Sequence, residues 1–173
     1  EAQGLVLRRL QLSDRDALAA AVAESLDAIA TWMPWAHPNY GSEDASTFLA
    51  TVWLGWLAKT QFEFAIVAPD HGELLGVCGL NQRAEDSMNL GYWTHTAHAG
   101  RGIATRATQR LARFGFEDVG LRRISLYHAI DNVGSQRVAE KAGFQREGRQ
   151  RGRLVLHGVA HDCFSYGLLA GDF

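Results

Sequence analysis

The hydrophobic period of this chain changes at Gly102, and the change dictates a strand, a glycine loop and a helix in immediate succession. Upstream, Met88 to Thr94 reads as a strand that carries Gly91-Tyr92-Trp93. Downstream, Ile103, Ala107, Leu111 and Phe114 recur at helical spacing, with Arg106, Arg110 and Arg113 beside them. Between lies Gly100-Arg101-Gly102, where glycines let backbone N–H groups approach an anion and the helix's unpaired first turn adds partial positive charge. An ordinary tight turn uses the same residues. The loop has no Gly-Lys-Ser/Thr ending and no third glycine, which excludes a nucleotide P-loop and a dinucleotide fold.

The remaining chain supplies alternating elements. Leu5 to Leu10 is strand-like, and Ser13-Asp14 offers an N-cap to an alanine-rich helix through Ala30. Pro34 and Pro38 make the segment from Thr31 to Pro38 a loop, which carries Trp32 and Trp35. A helix is expected over Ser42 to Lys59, then strands over Phe62 to Val67 and Leu74 to Leu80, turned by Pro69-Asp70-His71-Gly72. Ile124, Leu126, His128 and Ile130 alternate with Arg123, Ser125 and Tyr127 as one strand with unlike faces. Asn132 caps a short helix that ends at Gly143, and Phe144 to Arg151 and Cys163 to Leu169 are the last strands. The sum is a mixed α/β (α+β) domain with helices inserted along one largely antiparallel sheet.

With 173 residues, 47% of them hydrophobic, the chain suits one core, so 1–173 is read as a single domain. A net charge of -2 gives no global attraction to nucleic acid or to an anionic membrane. Cys78 and Cys163 lack metal-ligand spacing and read as buried small hydrophobes, so no metal is expected. Glu1-Ala2-Gln3-Gly4 lacks a basic region followed by an apolar run, and no stretch approaches the roughly 20 apolar residues that span a bilayer. The expectation is a soluble, reducing, cytoplasmic setting.

A second strand-to-helix unit, from Asp131-Asn132-Val133-Gly134-Ser135 to Lys141-Ala142-Gly143-Phe144, follows the glycine loop. Taken with Gly91-Tyr92-Trp93, Gly100-Arg101-Gly102-Ile103-Ala104-Thr105 and the tryptophan-proline loop, it resembles the GNAT superfamily of acetyl-CoA-dependent N-acetyltransferases. Within that superfamily it resembles the RimJ/RimL-like branch of ribosomal-protein N-terminal acetyltransferases. The resemblance implies a GNAT-like fold, a central, mostly antiparallel twisted sheet splayed between its fourth and fifth strands, with flanking helices. It implies acetyl-CoA as co-substrate: pyrophosphate on the backbone from Gly100 to Thr105, pantetheine along Tyr92, Trp93, Thr94 and His95. Asn132 would hydrogen-bond the pantetheine and Ser135 would lie by the sulfur; a homodimer is also consistent with the branch.

Acetyl transfer to an amine needs a neutral nitrogen, a polarised thioester and a proton for the departing thiolate. A backbone N–H near Trp93 or Thr94 is the expected oxyanion donor, and Ser135 the donor to sulfur. Direct transfer is expected because neither cysteine lies in a nucleophile motif. The chain departs from the superfamily pattern at Ala97, which replaces the arginine or glutamine that opens the phosphate motif, and at Ala139, which replaces the usual general-acid tyrosine. Asn89 and Leu154 stand where carboxylates serve as base in relatives. Glu85, Asp86, His95 and His98 flank the fourth strand as substitutes, and His161-Asp162 matches a family position near the last strand.

By the resemblance, Trp32 and Trp35 border the acceptor cleft, joined by Asn89. Trp53 and Trp56, three apart on a helix, read as core or dimer contacts, and Arg146, Glu147, Arg149, Arg151 and Arg153 as a solvated hairpin face. The acceptor expected is a protein or peptide N-terminal amine, with a small amine or amine-bearing antibiotic as the variant. The alternatives from other classes are a non-catalytic acyl-CoA sensor and a structural partner whose glycine loop is only a turn.

Overall fold

The computed structural model describes residues 4–172; the first three residues, which carry most of the leader reading, and residue 173 lie outside the described residues. Seven strands form one sheet: β1 (Val6–Arg9), β2 (Phe62–Val67), β3 (Leu74–Ala84), β4 (Ser87–Thr94), β5 (Arg123–Ala129), β6 (Gln145–Leu156) and β7 (Val159–Leu169). Their spatial order is β1-β2-β3-β4-β5-β7-β6, and every neighbouring pair is antiparallel except β4 with β5. Parallel neighbours need a long crossover, supplied here by α4 (Ile103–Glu117).

Period-two alternation gives the sheet two apolar faces. Ala65, Val67, Val77 and Trp93 meet the helices α1 (Arg15–Glu24), α2 (Leu26–Ile29) and α3 (Ser42–Ala58). Ile66, Cys78, Leu80, Leu90, Ile124 and Leu126 meet α4 and α5 (Val133–Lys141) on the opposite face. Trp56 reaches this second cluster and packs edge-on against Phe62 and Phe64, whereas Trp53 is exposed on α3. Both cysteines are free and buried.

The alanine-rich segment departs from its expectation. A turn of 3-10 helix over Leu12–Asp14 precedes α1, and the helix breaks at Ser25. Asp14 does not cap the helix with its side chain. Its carboxylate accepts two hydrogen bonds from Arg8, at 2.8 and 2.6 Å, and the Gln11 N–H at 2.8 Å. Burial pushes this carboxyl up, but the Arg8 and Gln11 donors outweigh it and hold the group below its ordinary range. At the break, Ser25 Oγ accepts the Thr96 N–H at 3.1 Å and ties α2 to the segment after β4.

The last two strands are longer than expected. They form a hairpin turned at His157 and Gly158, both at positive φ, with register shifts between Arg146 and Gly148 and between Gln150 and Leu154. The arginine-rich run on β6 lacks apolar alternation, so its pairing is invisible until β7 is beside it. Several of its arginines are engaged: Arg149 with Asp162, Arg146 over the Phe164 ring at 3.8 Å and Arg153 over Tyr127 at 5.2 Å.

Gly76 fixes how closely β3 approaches the end of β4. At φ of 150°, a Cβ there would lie 2.3 Å from the Trp93 carbonyl oxygen. Gly76→Ala must push back main chain, so an unfolding free energy lower by about 3 kcal/mol is expected in urea titration. Gly100→Ala, where a Cβ meets nothing within 4 Å, should cost about 1 kcal/mol from its positive φ alone.

Candidate active site

β4 and β5 pair only from Ser87 with Arg123 to Asn89 with Ser125, yet both strands continue beyond that point. Their divergence opens a cleft of about 760 Å³. Its walls are Asn89 to Thr94 on β4, Leu126 to Ala129 on β5, the start of α4, and Asn132 and Ser135 on α5. Trp32, Met33 and Pro34 close one side, and Leu154 to Leu156 on the β6–β7 hairpin close another. The hairpin turn is latched to the tryptophan loop's base, where His157 Nε2 donates to the Ala30 carbonyl at 2.6 Å.

The divergence frees backbone on one edge of β4. His95 N–H donates to the Leu75 carbonyl at 2.8 Å, on the β3 side. Bonded residues alternate in an antiparallel ladder, so Trp93 also faces β3 while Tyr92 and Thr94 turn their N–H and C=O groups toward the opened side. These groups can pair with an extended amide-bearing ligand. The alternation also selects Thr94 over Trp93 as the free N–H near the thioester position expected from the sequence.

At the cleft's end, Gly100 and Gly102 hold φ of 77° and 71°, so the chain turns sharply into α4. Buried Ile103 anchors the helix on the sheet, and the ladder starts with Arg106 N–H donating to Gly102 C=O at 3.1 Å. The N–H groups of Ile103, Ala104 and Thr105 therefore have no intrahelical acceptor and give this end of the cleft partial positive charge. Gly100 and Gly102 to Thr105 line the cleft. Arg101 does not; its carbonyl accepts Arg106 Nη1 at 3.1 Å. His95 also stands outside the lining, because its ring accepts the Ala97 N–H and contacts Glu24 at 3.1 Å.

Across the cleft, Asn132 Oδ1 caps α5 by accepting the Ser135 N–H at 2.9 Å, which locks the first turn and leaves the amide nitrogen for a ligand. Ser135 Oγ lies 2.9 Å from the hydroxyl of Tyr92, so strand and helix are joined by a side-chain hydrogen bond across the opening. Burial pushes the Tyr92 phenol up to about 12, so it keeps its proton at neutral pH. His128 is buried on β5, and burial lowers its pKa below the ordinary value. Its Nδ1 donates to the Ala129 carbonyl at 2.8 Å, which leaves Nε2 an acceptor without a partner among the described residues.

Position 139 holds an alanine buried in the core, and the tyrosine hydroxyl that meets Ser135 comes instead from Tyr92 on β4. Sequence reading credited Tyr92 with backbone contacts and missed its hydroxyl. The alternation that put His128 beside Leu126 already marked it as inward-facing.

Of the two tryptophans, Trp32 lines the cleft; Trp35 is partly exposed and sits behind it, 6.3 Å from the Trp93 ring and 5.7 Å from Tyr40. Of the substitute bases only His98 lines the cleft. Asp86 pairs with Arg122 at 2.7 Å and Glu85 lies in the β3–β4 turn, away from the opening. His98 lines the cleft but contacts Glu73 at 3.0 Å. Asp162 accepts the Gly152 N–H and pairs with Arg149. Leu154 lines the cleft with an apolar side chain.

Asn89 belongs to a polar chain that is half-buried at its two amides and buried at its far end. Its Nδ2 donates to Asn81 Oδ1 at 3.4 Å, and Asn81 Nδ2 donates to Glu63 Oε1 at 3.5 Å. Glu63 is 6% exposed, and burial pushes its carboxyl up to about 7 against the hydrogen bonds from Gln61 and Asn81.

A sheet opened by two parallel strands, a helix N-terminus at one end of the opening and a hydroxyl pair across it make up the cleft. The chain belongs to the GNAT acetyltransferase family, whose domain model matches residues 4–145. Family members are N-acetyltransferases that use acetyl-CoA as co-substrate, and this protein is one. It is 29% identical over 173 residues to the Bacillus subtilis protein named "Putative ribosomal N-acetyltransferase YdaF", covering 98% of this chain and 93% of the relative. It is 35% identical over 96 residues to the ribosomal-protein-serine acetyltransferase of Escherichia coli, 54% of each chain. The RimL ribosomal L7/L12 α-N-protein acetyltransferase, solved with coenzyme A, shares the fold at a TM-score of 0.89 and 22% identity, over 98% of this chain and 95% of that one. Among the described residues no helix is long and apolar enough to cross a membrane, and no cluster of three or more His, Cys, Asp or Glu could hold a metal.

Two outcomes follow from this geometry. Gly102→Trp fills the turn into α4 and should abolish calorimetric binding of coenzyme A while the cooperative unfolding transition survives. Glu63 binds its proton more tightly folded, at about 7, than unfolded, at 4.5, so its ionisation costs stability as pH rises through that window. The native protein should lose up to about 3 kcal/mol between those values relative to Glu63→Gln, read from urea midpoints across pH.

Proposed function

We propose that the protein transfers the acetyl group of acetyl-CoA directly to the α-amine at the N-terminus of a protein or peptide. The observation that carries this reading is the Tyr92–Ser135 pair at 2.9 Å across the cleft. Tyr92 keeps its proton and donates to Ser135 Oγ, and the serine's own proton is then directed at the departing sulfur. This chain of donors does the work of a general acid without the missing tyrosine at position 139. The Thr94 N–H polarises the thioester carbonyl, the N–H groups of Gly102 to Thr105 hold the pyrophosphate, and Asn132 Nδ2 bonds the pantetheine. Gly100, Tyr92 and the strand edge to Thr94 complete the coenzyme contacts.

In the transfer, the amine nitrogen attacks the acetyl carbon, the C–N bond forms, and the C–S bond breaks after a tetrahedral intermediate. The nitrogen's surplus proton leaves to solvent, and the thiolate takes one through Ser135. Direct transfer agrees with the cysteines. Burial pushes Cys78 well above its ordinary value, the nearby Glu63 adding to the shift, and Cys163 is fully buried, so neither offers a thiolate to carry the acetyl group. An α-amine has a reference pKa of about 8 and needs little help to lose its proton, which suits a cleft without a carboxylate on its wall. The names of the Bacillus and Escherichia relatives support a ribosomal-protein or similar N-terminus as acceptor. Trp32 would then pack against the acceptor's first residues, beside Asn89.

Thiol release from acetyl-CoA should depend on added peptides with free N-termini and disappear when those termini are blocked. Release only with polyamines or amine-bearing antibiotics would replace the acceptor, and binding of acetyl-CoA without release to any amine would favour a sensor. Ser135→Ala should lower kcat about 100-fold with coenzyme affinity little changed, and Tyr92→Phe about 10-fold. Equal loss of turnover and affinity in the serine variant would remove its role at the sulfur.

A further inference from the structure

A buried carboxylate on β2 is linked to the cleft by two side-chain amides, and the absence of a side chain at Gly79 makes room for the carboxylate. Gly79 and Gly91 are register partners on β3 and β4. A Cβ at Gly79 would lie 1.8 Å from Glu63 Oε2, and one at Gly91 would lie 3.9 Å from Asn81 Nδ2. Glu63 therefore reaches across β3 rather than away from the sheet, and the chain Glu63–Asn81–Asn89 runs flat over it to the cleft wall. Asn89 Oδ1 is buried and has no partner among the described residues.

We propose that Glu63 is a positioning residue for acetyl transfer: through Asn81 it fixes the side-chain carbonyl of Asn89 toward the cleft, as the acceptor for an N–H of the incoming amine. This rests on the acceptor reading above. The direction follows from donor and acceptor inventory. An ionised carboxylate only accepts, so Asn81 must present its NH2 to Glu63 and its oxygen to Asn89. Asn89 must then spend its NH2 on Asn81, which leaves Oδ1 for the substrate. Asn89 takes no proton; it orients the amine so that the nitrogen lone pair is free to attack.

Protonation of Glu63 inverts the logic. A carboxyl O–H can donate to Asn81 Oδ1; both amides then reverse, and Asn89 shows an NH2 that opposes the amine's N–H. The groups facing this carboxyl are the Gln61 amide, 3.1 Å away, and the Asn81 amide; the Cys78 thiol, on the other face of the sheet, is protonated and feels the carboxylate only through its charge. From α3, the Trp56 indole donates to the Glu63 main-chain carbonyl; Arg9 lies over the Trp56 ring and Arg83 bonds the Lys59 carbonyl. Burial sets the carboxyl to about 7, so the reversal falls near neutral pH.

The test has two readouts on the full chain. In nitrogen-15 spectra of the protein without substrate, the side-chain NH2 signals of Asn81 and Asn89 should titrate together near pH 7, and the titration should vanish in Glu63→Gln. With acetyl-CoA and a peptide with a free N-terminus, log kcat/KM for the peptide should fall with slope two below that pH in the native protein and slope one in Glu63→Gln. The variant's peptide KM should rise about 5-fold at pH 8 while coenzyme A affinity stays unchanged, a loss of about 1 kcal/mol. Asn89→Asp in the Glu63→Gln background, whose two oxygens need no orienting, should restore that KM. Amide signals indifferent to pH would overturn the proposal whatever the acceptor proves to be. An unchanged slope and KM in Glu63→Gln would overturn it too. If no peptide is acetylated by the native protein, the acceptor reading fails separately, and the spectra still decide the orientation of Asn89.

Discussion

Everything the site can do depends on β4 and β5 ceasing to pair after Asn89 and Ser125. A parallel pair in the middle of a sheet normally spends its backbone hydrogen bonds on itself. Here the edge at Tyr92 and Thr94 is left open at the bottom of a walled cleft, which the Tyr92 and Ser135 hydroxyls bridge at 2.9 Å. The two helices that follow these strands present their N-termini to the opening, one with free N–H groups at Ile103 to Thr105 and one capped by Asn132.

The opening needs support because it interrupts a sheet core. Apolar packing supplies most of it: Trp93 and its neighbours against α1 to α3 on one face, Leu90, Leu126 and Ile103 on the other. Polar ties supply the rest. Ser25 holds the segment after β4, His157 fastens the last hairpin to Ala30, and Tyr92 bridges to Ser135. Each tie joins elements distant in sequence, and each lies on the rim or wall of the cleft. The Glu63–Asn81–Asn89 chain, buried at Glu63, differs in kind, because burying an ionisable carboxyl without a cation opposes folding. Among the described residues, Glu63 is held there by hydrogen bonds from the Gln61 and Asn81 amides alone.

Local pattern made much of the fold and part of the site readable. The switch from alternation to helical spacing at Gly102 located the glycine turn into α4, and Asn132 was identifiable as a cap from its place before a short helix. Boundaries failed where side chains had non-local partners. Asp14 reads as a helix cap until Arg8 and the Gln11 N–H claim its carboxylate. The β6–β7 hairpin was truncated because arginines on β6 find their acids and rings only once β7 is alongside.

The sequence by itself determined the element order and the glycines that must turn into α4, because these rest on periodicity and on backbone conformations that only neighbouring residues control; the acetyl-CoA chemistry came from the resemblance of its motifs to a known family. Which side chains meet was left to the tertiary structure. Tyr92 reaches Ser135, Glu63 reaches toward Asn89 over two paired glycines, and His95 turns out of the cleft to Glu24. Strand register and the splay of β4 from β5 decide those encounters, and both arise from packing between segments far apart in the chain.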